Sequence, residues 1–586
     1  MTVEDELKLA APATFALPDL AGRTRGAGGA GGAGGTGGAG RTGGAGRTGG
    51  AGRSDATGGT DGGRTEGAGR TDGAGEGGSA VGAGAGDQPD VAGDGGGDGA
   101  GGADGGVPGV AEVRSDGRRS LHSTYWDTPD LRLIRNGVTL RYRSGEDEPP
   151  WQLKLPLPGS GPGVRREEIA EPGKPDSVPA KLLGLLTGWA RTGKLGPVAT
   201  LRTDRDVHRL LADDGSELAE LVDDSVSVLH GPRTVSRFRE LEVERRGADD
   251  VVLSALRDRL VAAGAVEGQF TPKVVRALGP LATAPSDLPE PPQLSRRSSA
   301  GAVVAYSLAT NLRRLIAQHA PVCRGEDDAV HQMRVACRRL RTDLRTFRPL
   351  VDPGWAESLR AELKWLAGSL GAARDLEVLR ERIAGAAHAD PLAPLDEDAV
   401  SRVDAELAGR ERVALSEVDT ALGSQRYARL LDRLVEAARH PMLTAAAGEP
   451  ADSALLPLVA KAWRKLKKGV RGLGPDGPDH DWHRVRILAK RARYAAEAVT
   501  PALGKPAARP AKAAESVQDL LGEHQDAVVA AETAGEIAQA HPGDDHLVLT
   551  CGRLLERERA AVRQARARFP GIWREASRPK TTKWLR

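Results

Sequence analysis

Two runs at opposite ends of the N-terminal half constrain the fold more than any other feature. The opening run, Val3-Glu4-Asp5-Glu6-Leu7-Lys8-Leu9, places charges at every second position, and so does Phe238-Arg239-Glu240-Leu241-Glu242-Val243-Glu244. Alternate side chains of a β-strand share a face. Glu4, Glu6 and Lys8 therefore form one charged row, and Glu240, Glu242 and Glu244 another. Such rows suit an exposed, salt-bridged edge. Inside a barrel they cannot be left unpaired, because burying charge is costly. A charged lumen makes sense when a charged ligand fills it. Neighbouring carboxylates, about 7 Å apart along a strand, can hold a hard divalent cation, and cations opposite them can grip a polyanion.

The residues between these runs supply the cations. Tyr125-Trp126-Asp127-Thr128 is followed by Asn136-Gly137 and then Val138-Thr139-Leu140-Arg141-Tyr142-Arg143. Asn-Gly between two β-rich runs predicts a hairpin, with Arg141 and Arg143 on one face. Trp151-Gln152-Leu153-Lys154-Leu155 and Val164–Ile169 read as further strands, and 178–190 as a short helix. Strand-like runs follow at 198–211, carrying Arg202 and Arg205; at 217–229, carrying Asp223 and Asp224; and at 235–246. Lys273 lies beyond them in Thr-Pro-Lys-Val-Val-Arg. Short strands at regular spacing predict an antiparallel barrel or sandwich.

One segment resists this pattern. Residues 26–106 are almost entirely Gly, Ala, Thr, Asp and Arg, and cannot bury a core. They are expected to be a disordered insertion behind the first strand. Loop closure grows only logarithmically with length, so the insertion is affordable. The three cysteines, Cys323, Cys337 and Cys551, have no CxxC spacing. That argues against a disulfide framework or zinc site and fits a reducing compartment. With no signal-like or membrane-spanning run, a soluble cytoplasmic protein is expected.

Glu4-x-Glu6-x-Lys8, Tyr125-x-Asp127-Thr128, Gly137-x-x-Leu140-Arg141-x-Arg143, Trp151-x-x-Lys154, the Glu-Leu-Glu-Val-Glu strand and Lys273 together resemble a CYTH domain, also called a triphosphate tunnel metalloenzyme. The resemblance covers residues 1–21 and about 110–280. It implies an eight-stranded antiparallel tunnel that binds a triphosphate with Mg²⁺ or Mn²⁺. It implies that Arg141, Arg143, Lys154 and Arg205 contact phosphates, with Lys8 and Lys273 beside them. Glu4, Glu6, Asp223 and two of Glu240, Glu242 and Glu244 would hold metal or position water. The catalytic set is then Glu4, Glu6, Lys8 and Lys154. Arg202 could take the place of Arg205, and Asp224 that of Asp223.

Proline-rich residues 281–297 read as a linker. Beyond it, apolar residues recur at helical spacing and an all-α half is expected. Two segments there repeat each other. From His331, basic residues stand at +3, +7, +8 and +10, and the same offsets hold from His483. At 100° per residue, His331, Arg334, Arg338 and Arg341 make one stripe, and His483, Arg486, Lys490 and Arg493 another. Leu370-Gly371-Ala372-Ala373-Arg374-Asp375 then matches Leu521-Gly522-Glu523-His524-Gln525-Asp526. Matched motifs at matched separation predict a duplicated helical unit, each copy a bundle of about four helices. Residues 331–348 hold six arginines against one acid, Asp343. Stacked like charges repel, and a polyanion would relieve them.

These motifs resemble a CHAD domain, over about residues 298–575. The resemblance implies binding of inorganic polyphosphate through the two stripes. Nucleic acid would also suit a basic groove, but apart from Tyr494 the stripe lacks aromatics for stacking bases. The expected protein is thus α+β and multidomain: a tunnel domain over 1–280 with an insertion at 23–109, a linker, and two pseudo-repeated helical bundles. Its expected function is metal-dependent hydrolysis of inorganic or another triphosphate, with polyphosphate, including polyphosphate granules, as a partner of the helical half and no membrane association. The alternatives are a non-catalytic polyphosphate-granule protein and an adenylate cyclase.

Overall fold

The computed structural model describes residues 6–22, 106–156, 166–267 and 271–585. Glu4, the side chain of Glu6 and the Gly-rich insertion lie outside this set. The β half contains β1 (Glu6–Ala11), β2 (Glu112–Asp127), α1 (Arg132–Arg135), β3 (Thr139–Ser144), β4 (Trp151–Pro156), β5 (Arg166–Glu171), α2 (Ala180–Ala190), β6 (Gly196–Leu211), β7 (Glu217–His230), β8 (Arg233–Arg245), α3 (Asp250–Ala262), β9 (Val266–Glu267) and α4 (Lys273–Leu278). The strands form one antiparallel sheet in the order β5-β4-β3-β2-β6-β7-β8-β1-β9. Eight strands are those expected, and β9 adds two residues at the edge. Among the described residues β5 and β9 do not pair with each other, so the tunnel is not hydrogen-bonded shut.

β1 pairs with β8 in a register that sets Lys8 opposite Glu242 and Glu6 opposite Glu244. Lys8 and Glu242 are therefore neighbours on one face. Their apolar alternates, Leu9, Leu241 and Val243, point the other way and pack with Leu256 and Leu260 of α3 and with Phe15 and Leu20. Farther round, Leu140, Trp151, Leu153 and Leu155 turn outward against Leu182, Leu186 and Trp189 of α2. One end of the inner face is apolar. Tyr125, Leu201, Val226 and Val228 pack there with Ile134 of α1 and Val274 of α4. Sequence alternation thus separates an oily outside from a charged inside that is stoppered at one end.

β2 and β3 pair antiparallel as the hairpin reading expects, but Asn136-Gly137 is not a tight turn between them. After β2 the chain makes the helical turn α1 instead, and Asn136-Gly137 ends it, with Gly137 at φ 76°. Asp127 is the reason. Its carboxylate accepts from the amides of Thr128 (2.6 Å), Leu133 (2.9 Å) and Ile134 (2.9 Å). Burial of Leu133 and Ile134 fixes the turn against the sheet.

The helical half comprises α5 (Ala300–Ala317), α6 (His319–Cys323), α7 (Ala329–Thr346), α8 (Pro353–Ala387), α9 (Glu397–Leu422), α10 (Gln425–Arg439), α11 (Ala451–Arg471), α12 (Asp479–Leu503), α13 (Lys505–Ala540) and α14 (Asp545–Ala576). The copies are α7-α8-α9 and α12-α13-α14, and they pack like on like: α7 on α12, α8 on α13, α9 on α14. Ser299, Asp352, Asp396, Ser424 and Asp544 cap their helices by accepting a backbone N–H three residues on.

The two halves share a core. Trp151, Leu153 and the α2 leucines belong to the same buried cluster as Val303, Val304 and Leu308 of α5 and Tyr427 of α10. Leu288, from the proline-rich stretch, is buried within it. Asp432 of α10 receives Arg191 Nε at 2.9 Å and Arg132 Nη1 at 3.2 Å, and Arg191 also pairs with Asp287. His319 lies between α2 and α10, with Nε2 2.7 Å from the Gly184 carbonyl and Nδ1 3.3 Å from Tyr427 Oη. Burial pushes His319 down to about 4, so the ring is neutral in this joint.

Candidate active site and polyanion cleft

The acidic side of the lumen is built by β7 and β8. Glu240 and Glu242 lie two apart on β8, and Asp224 on β7 is paired directly opposite Glu240. All three are buried. Their oxygens converge on Lys273, the first residue of α4, whose Nζ lies 2.6 Å from Glu240, 2.7 Å from Glu242 and 2.9 Å from Asp224. Lys8 reaches Glu242 at 2.5 Å, Arg205 forks onto Asp224 at 2.8 and 2.9 Å, and Arg276 meets Glu240 at 3.1 Å. Burial alone would raise the Glu242 carboxyl, but Lys273 and Lys8 hold it well below the usual carboxylate range. Burial alone would lower Lys273, and the surrounding carboxylates raise it instead.

The basic side comes from β3 and β4. Arg141 Nε donates to Gln152 at 2.7 Å, and Arg143 Nε donates to Ser123 at 3.1 Å. Arg143 also meets Glu146 at 3.1 Å, and Lys154 meets Glu168 of β5 at 2.9 Å. Burial, and then Arg141 beside it, loosens the Arg143 proton. Burial would raise the Tyr125 phenol, yet Arg141 and Arg143 bring it below its ordinary value. The lumen thus runs from a triad of acids to a pair of guanidiniums and an ammonium.

Not every expected residue faces it. Asp223 is corrected: it lies on the outer face, held by Arg239 at 2.5 and 2.8 Å, and Asp224 takes the inner position. A single step along a strand reverses the face. For the same reason Arg202 points outward beside Asp204 (3.9 Å), while Arg205 points in. Glu244 shares the inner face but lies near its open end, paired with Arg246 at 3.0 Å. Glu4 and the Glu6 side chain fall outside the described residues.

Asp224, Glu240 and Glu242 offer the oxygen donors that a hard divalent ion takes, but here they converge on an ammonium. In the present arrangement that cation is Lys273. Among the described residues no group of three or more acidic, His or Cys side chains is spaced to hold a metal.

The second site lies where α7 meets α12. Arg334 reaches Asp375 of α8 at 3.0 Å, and its mate Arg486 reaches Asp526 of α13 at 3.4 Å. The matched glycines lie against these arginines: a Cβ on Gly371 would come 3.7 Å from Arg334 Nε, and one on Gly522 would come 3.6 Å from Arg486 Nη2, both ordinary contact distances. Arg338 lies over Tyr494, 5.4 Å from the ring centre. The Nε atoms of Arg338, Arg486 and Arg374 are buried without a hydrogen-bond partner. Burial, with Arg486, Arg338 and Arg334 adding to it, pushes Lys490 down to about 7. Burial and then Arg374 lower His331. His483 is exposed and its Nδ1 is 2.6 Å from Gln525 Oε1. Arg493 leaves the cluster for Glu497 (2.6 Å) and Glu515 (2.7 Å), and burial, then Arg360 and Arg345, lower Arg341.

Both halves match known protein families. A CYTH domain model matches residues 111–275, and a CHAD domain model matches residues 307–535. An uncharacterized protein of Mycobacterium tuberculosis (strain CDC 1551) is 33% identical over 500 residues, covering 80% of this chain and 92% of that protein. The chain belongs to the CYTH–CHAD family. Among solved structures, PptA from Streptomyces chartreusis is 27% identical, covers 47% of the CYTH–CHAD chain and 100% of its own, and superposes with a TM-score of 0.41. The CHAD domain from the plant Ricinus communis is 25% identical, covers 50% and 94%, and gives 0.36.

Within the CYTH half, sequence reasoning passed over Tyr125, Gln152 and Glu168 as site residues. Glu168 falls in register with Lys154 on the inner face, which only the pairing of β4 with β5 reveals. Within the CHAD half it passed over Arg374, one residue before the motif aspartate. No helix of the CYTH–CHAD chain, among the described residues, is long and apolar enough to cross a membrane.

Proposed function

We propose that the CYTH half hydrolyses a short phosphate chain, inorganic triphosphate before others, with a divalent metal, and that the CHAD half binds inorganic polyphosphate. CYTH domains bind triphosphates, their enzymes are triphosphatases or cyclases, and they generally use divalent metals. The observation that carries the reading is the division of one lumen into Asp224, Glu240 and Glu242 on one side and Arg141, Arg143 and Lys154 on the other. An anhydride chain needs that pairing: cations along its oxygens, and acids that gather a metal beside it.

In this reading Arg141 and Arg143 fork onto phosphate oxygens, and Lys154 exchanges Glu168 for the terminal phosphate. Asp224, Glu240 and Glu242, with Glu4 and Glu6, would hold Mg²⁺ or Mn²⁺. Bound there, the ion would polarise the phosphoryl group and neutralise developing charge. The apolar stopper of Ile134 and Val274 excludes water from one end, which strengthens each of these contacts. The deciding assay is phosphate release from inorganic triphosphate with Mn²⁺ or Mg²⁺. Wild type should turn over, and Lys154→Ala and Glu242→Gln should not. Full turnover in both variants rejects the assignment, no release by wild type favours a purely binding protein, and cyclic AMP from ATP favours a cyclase.

A further inference from the structure

The duplication makes a comparison possible inside the CHAD half. Fourteen residues after its histidine, α7 carries Arg345 and α12 carries Glu497. Eight residues after, the two carry Arg339 and Arg491. Packing brings the +8 residue of each helix to the +14 residue of the other. On one side Arg339 meets Glu497 at 3.0 Å, an ion pair. On the other, the equivalent positions on the packed helices are Arg491 and Arg345, and burial, then Arg345, Arg341 and Arg360, lower Arg491. The sequence repeats the contrast on the neighbouring helices. Eleven residues before the motif aspartate, α13 carries Glu515 and α8 carries Lys364.

The two sides therefore differ in kind. On the Glu497 side Arg493 is pinned between Glu497 and Glu515, and Arg339 is pinned as well. On the Arg345 side the acid bonded to the group is Glu357, which pairs with Arg360. Arg360 is held in place by donating Nε to the Arg341 carbonyl at 3.3 Å. Arg341 follows Arg338 by about one helical turn, and Arg345 follows Arg341 by about another. The cations thus continue from the cleft without a break.

We propose that Arg341, Arg345, Arg360 and Arg491 form a second phosphate subsite, and that a long phosphate chain leaves the α7–α12 cleft across this side alone. The proposal rests on the reading of the cleft as a polyphosphate site and adds a direction to it. Four guanidiniums in mutual repulsion store unfavourable energy that a polyanion relieves, whereas on the other side Glu497 and Glu515 already neutralise their arginines and repel phosphate. The chain chemistry selected is a flexible run of phosphates: among the described residues the ring contacts of this region are made to Tyr494 by Arg338, Arg339 and Arg493, not by these four arginines.

The test compares long-chain polyphosphate with tripolyphosphate, using full-length protein and a binding assay at several salt concentrations. Arg345→Glu with Arg491→Glu should weaken the long chain by about tenfold or more and flatten its salt dependence, while tripolyphosphate binding in the cleft stays within about twofold. Arg345→Ala with Arg491→Ala should show the same pattern in weaker form, and it replaces the reversal if that variant melts early. An equal loss for both probes, or none for the long chain, overturns the subsite. Arg314 and Lys512 line one cavity with Glu497 and Glu515, and an equal loss from Arg314→Glu with Lys512→Glu overturns the one-sided path. Arg334→Glu with Arg486→Glu should abolish retention of both probes. If it abolishes neither, the cleft reading fails, and that failure is separate from failure of the subsite.

Discussion

Both halves gather arginine and lysine in one place, but they neutralise the charge differently. In the lumen each cation has an acid: Lys273 has three, Arg205 has Asp224, Lys154 has Glu168. In the α7–α12 cleft, Arg334 and Arg486 have one aspartate each, and Arg338 and Lys490 lie among other cations. The lumen is a balanced set that a ligand must rearrange. The cleft is short of negative charge, and a ligand supplies it. Selectivity by exchange of partners is expected of the first, and affinity by charge of the second.

The sharpest way to break this comparison is to unbalance the lumen. Lys273→Met removes the cation that Asp224, Glu240 and Glu242 share, leaving them Arg205, Arg276 and Lys8 respectively. Breaking a buried pair by removing one partner costs about 3–5 kcal/mol, so thermal melting should fall steeply and recover in part with millimolar Mn²⁺. A variant that melts like wild type would show that the acids are solvated and the balance is illusory. Salt gives the next largest contrast. Raising it from 50 to 200 mM should weaken polyphosphate retention by roughly 10²–10³-fold through counterion release, while the triphosphate KM of the lumen moves far less because buried pairs are weakly screened. Parallel losses in both assays would erase the distinction.

A pH series sharpens the cleft side. Lys490 titrates at about 7 in the fold against about 10.4 in an unfolded chain. Between those values the unfolded state holds more protons, so stability rises with pH across the window and is lost as pH falls through 7. Differential scanning across pH 7–10 should show this slope, and Lys490→Met should flatten it. The smallest effect is expected at the matched glycines. Gly371→Ala and Gly522→Ala introduce only ordinary contact, at 3.7 and 3.6 Å. They should leave binding unchanged while gaining up to about 1 kcal/mol of helix propensity each. Loss of binding in the alanine variants would mean the glycines serve something other than space.

Much of the lumen was legible because period-two alternation fixes faces without knowledge of the fold. Lys8, Glu240, Glu242, Arg141, Arg143 and Lys154 share the inner side as the sequence pattern requires. Adjacent candidates were not legible. Asp223 or Asp224, and Arg202 or Arg205, depend on register, which residues outside the strand set. Asn136-Gly137 misled because its hairpin meaning is local, whereas Asp127 captures the amides of Leu133 and Ile134. Lys273 was found in sequence, but its delivery from a helix into an acid triad was not. The helical half was readable through its repetition, which exposed His331 and His483 together. The meeting of Arg339 with Glu497 and of Arg491 with Arg345 was hidden, because it depends on how two helices cross.

The junction has a practical consequence. Trp151 and the α2 leucines lie in one cluster with α5, and Leu288 is buried among them. Severing the chain near residue 288 would strip oil-facing surface from both fragments at once, and each would seek a replacement partner by clumping. Handling the tunnel and the helices as a single unfolding unit follows from that seam: heat one, and the other should let go with it.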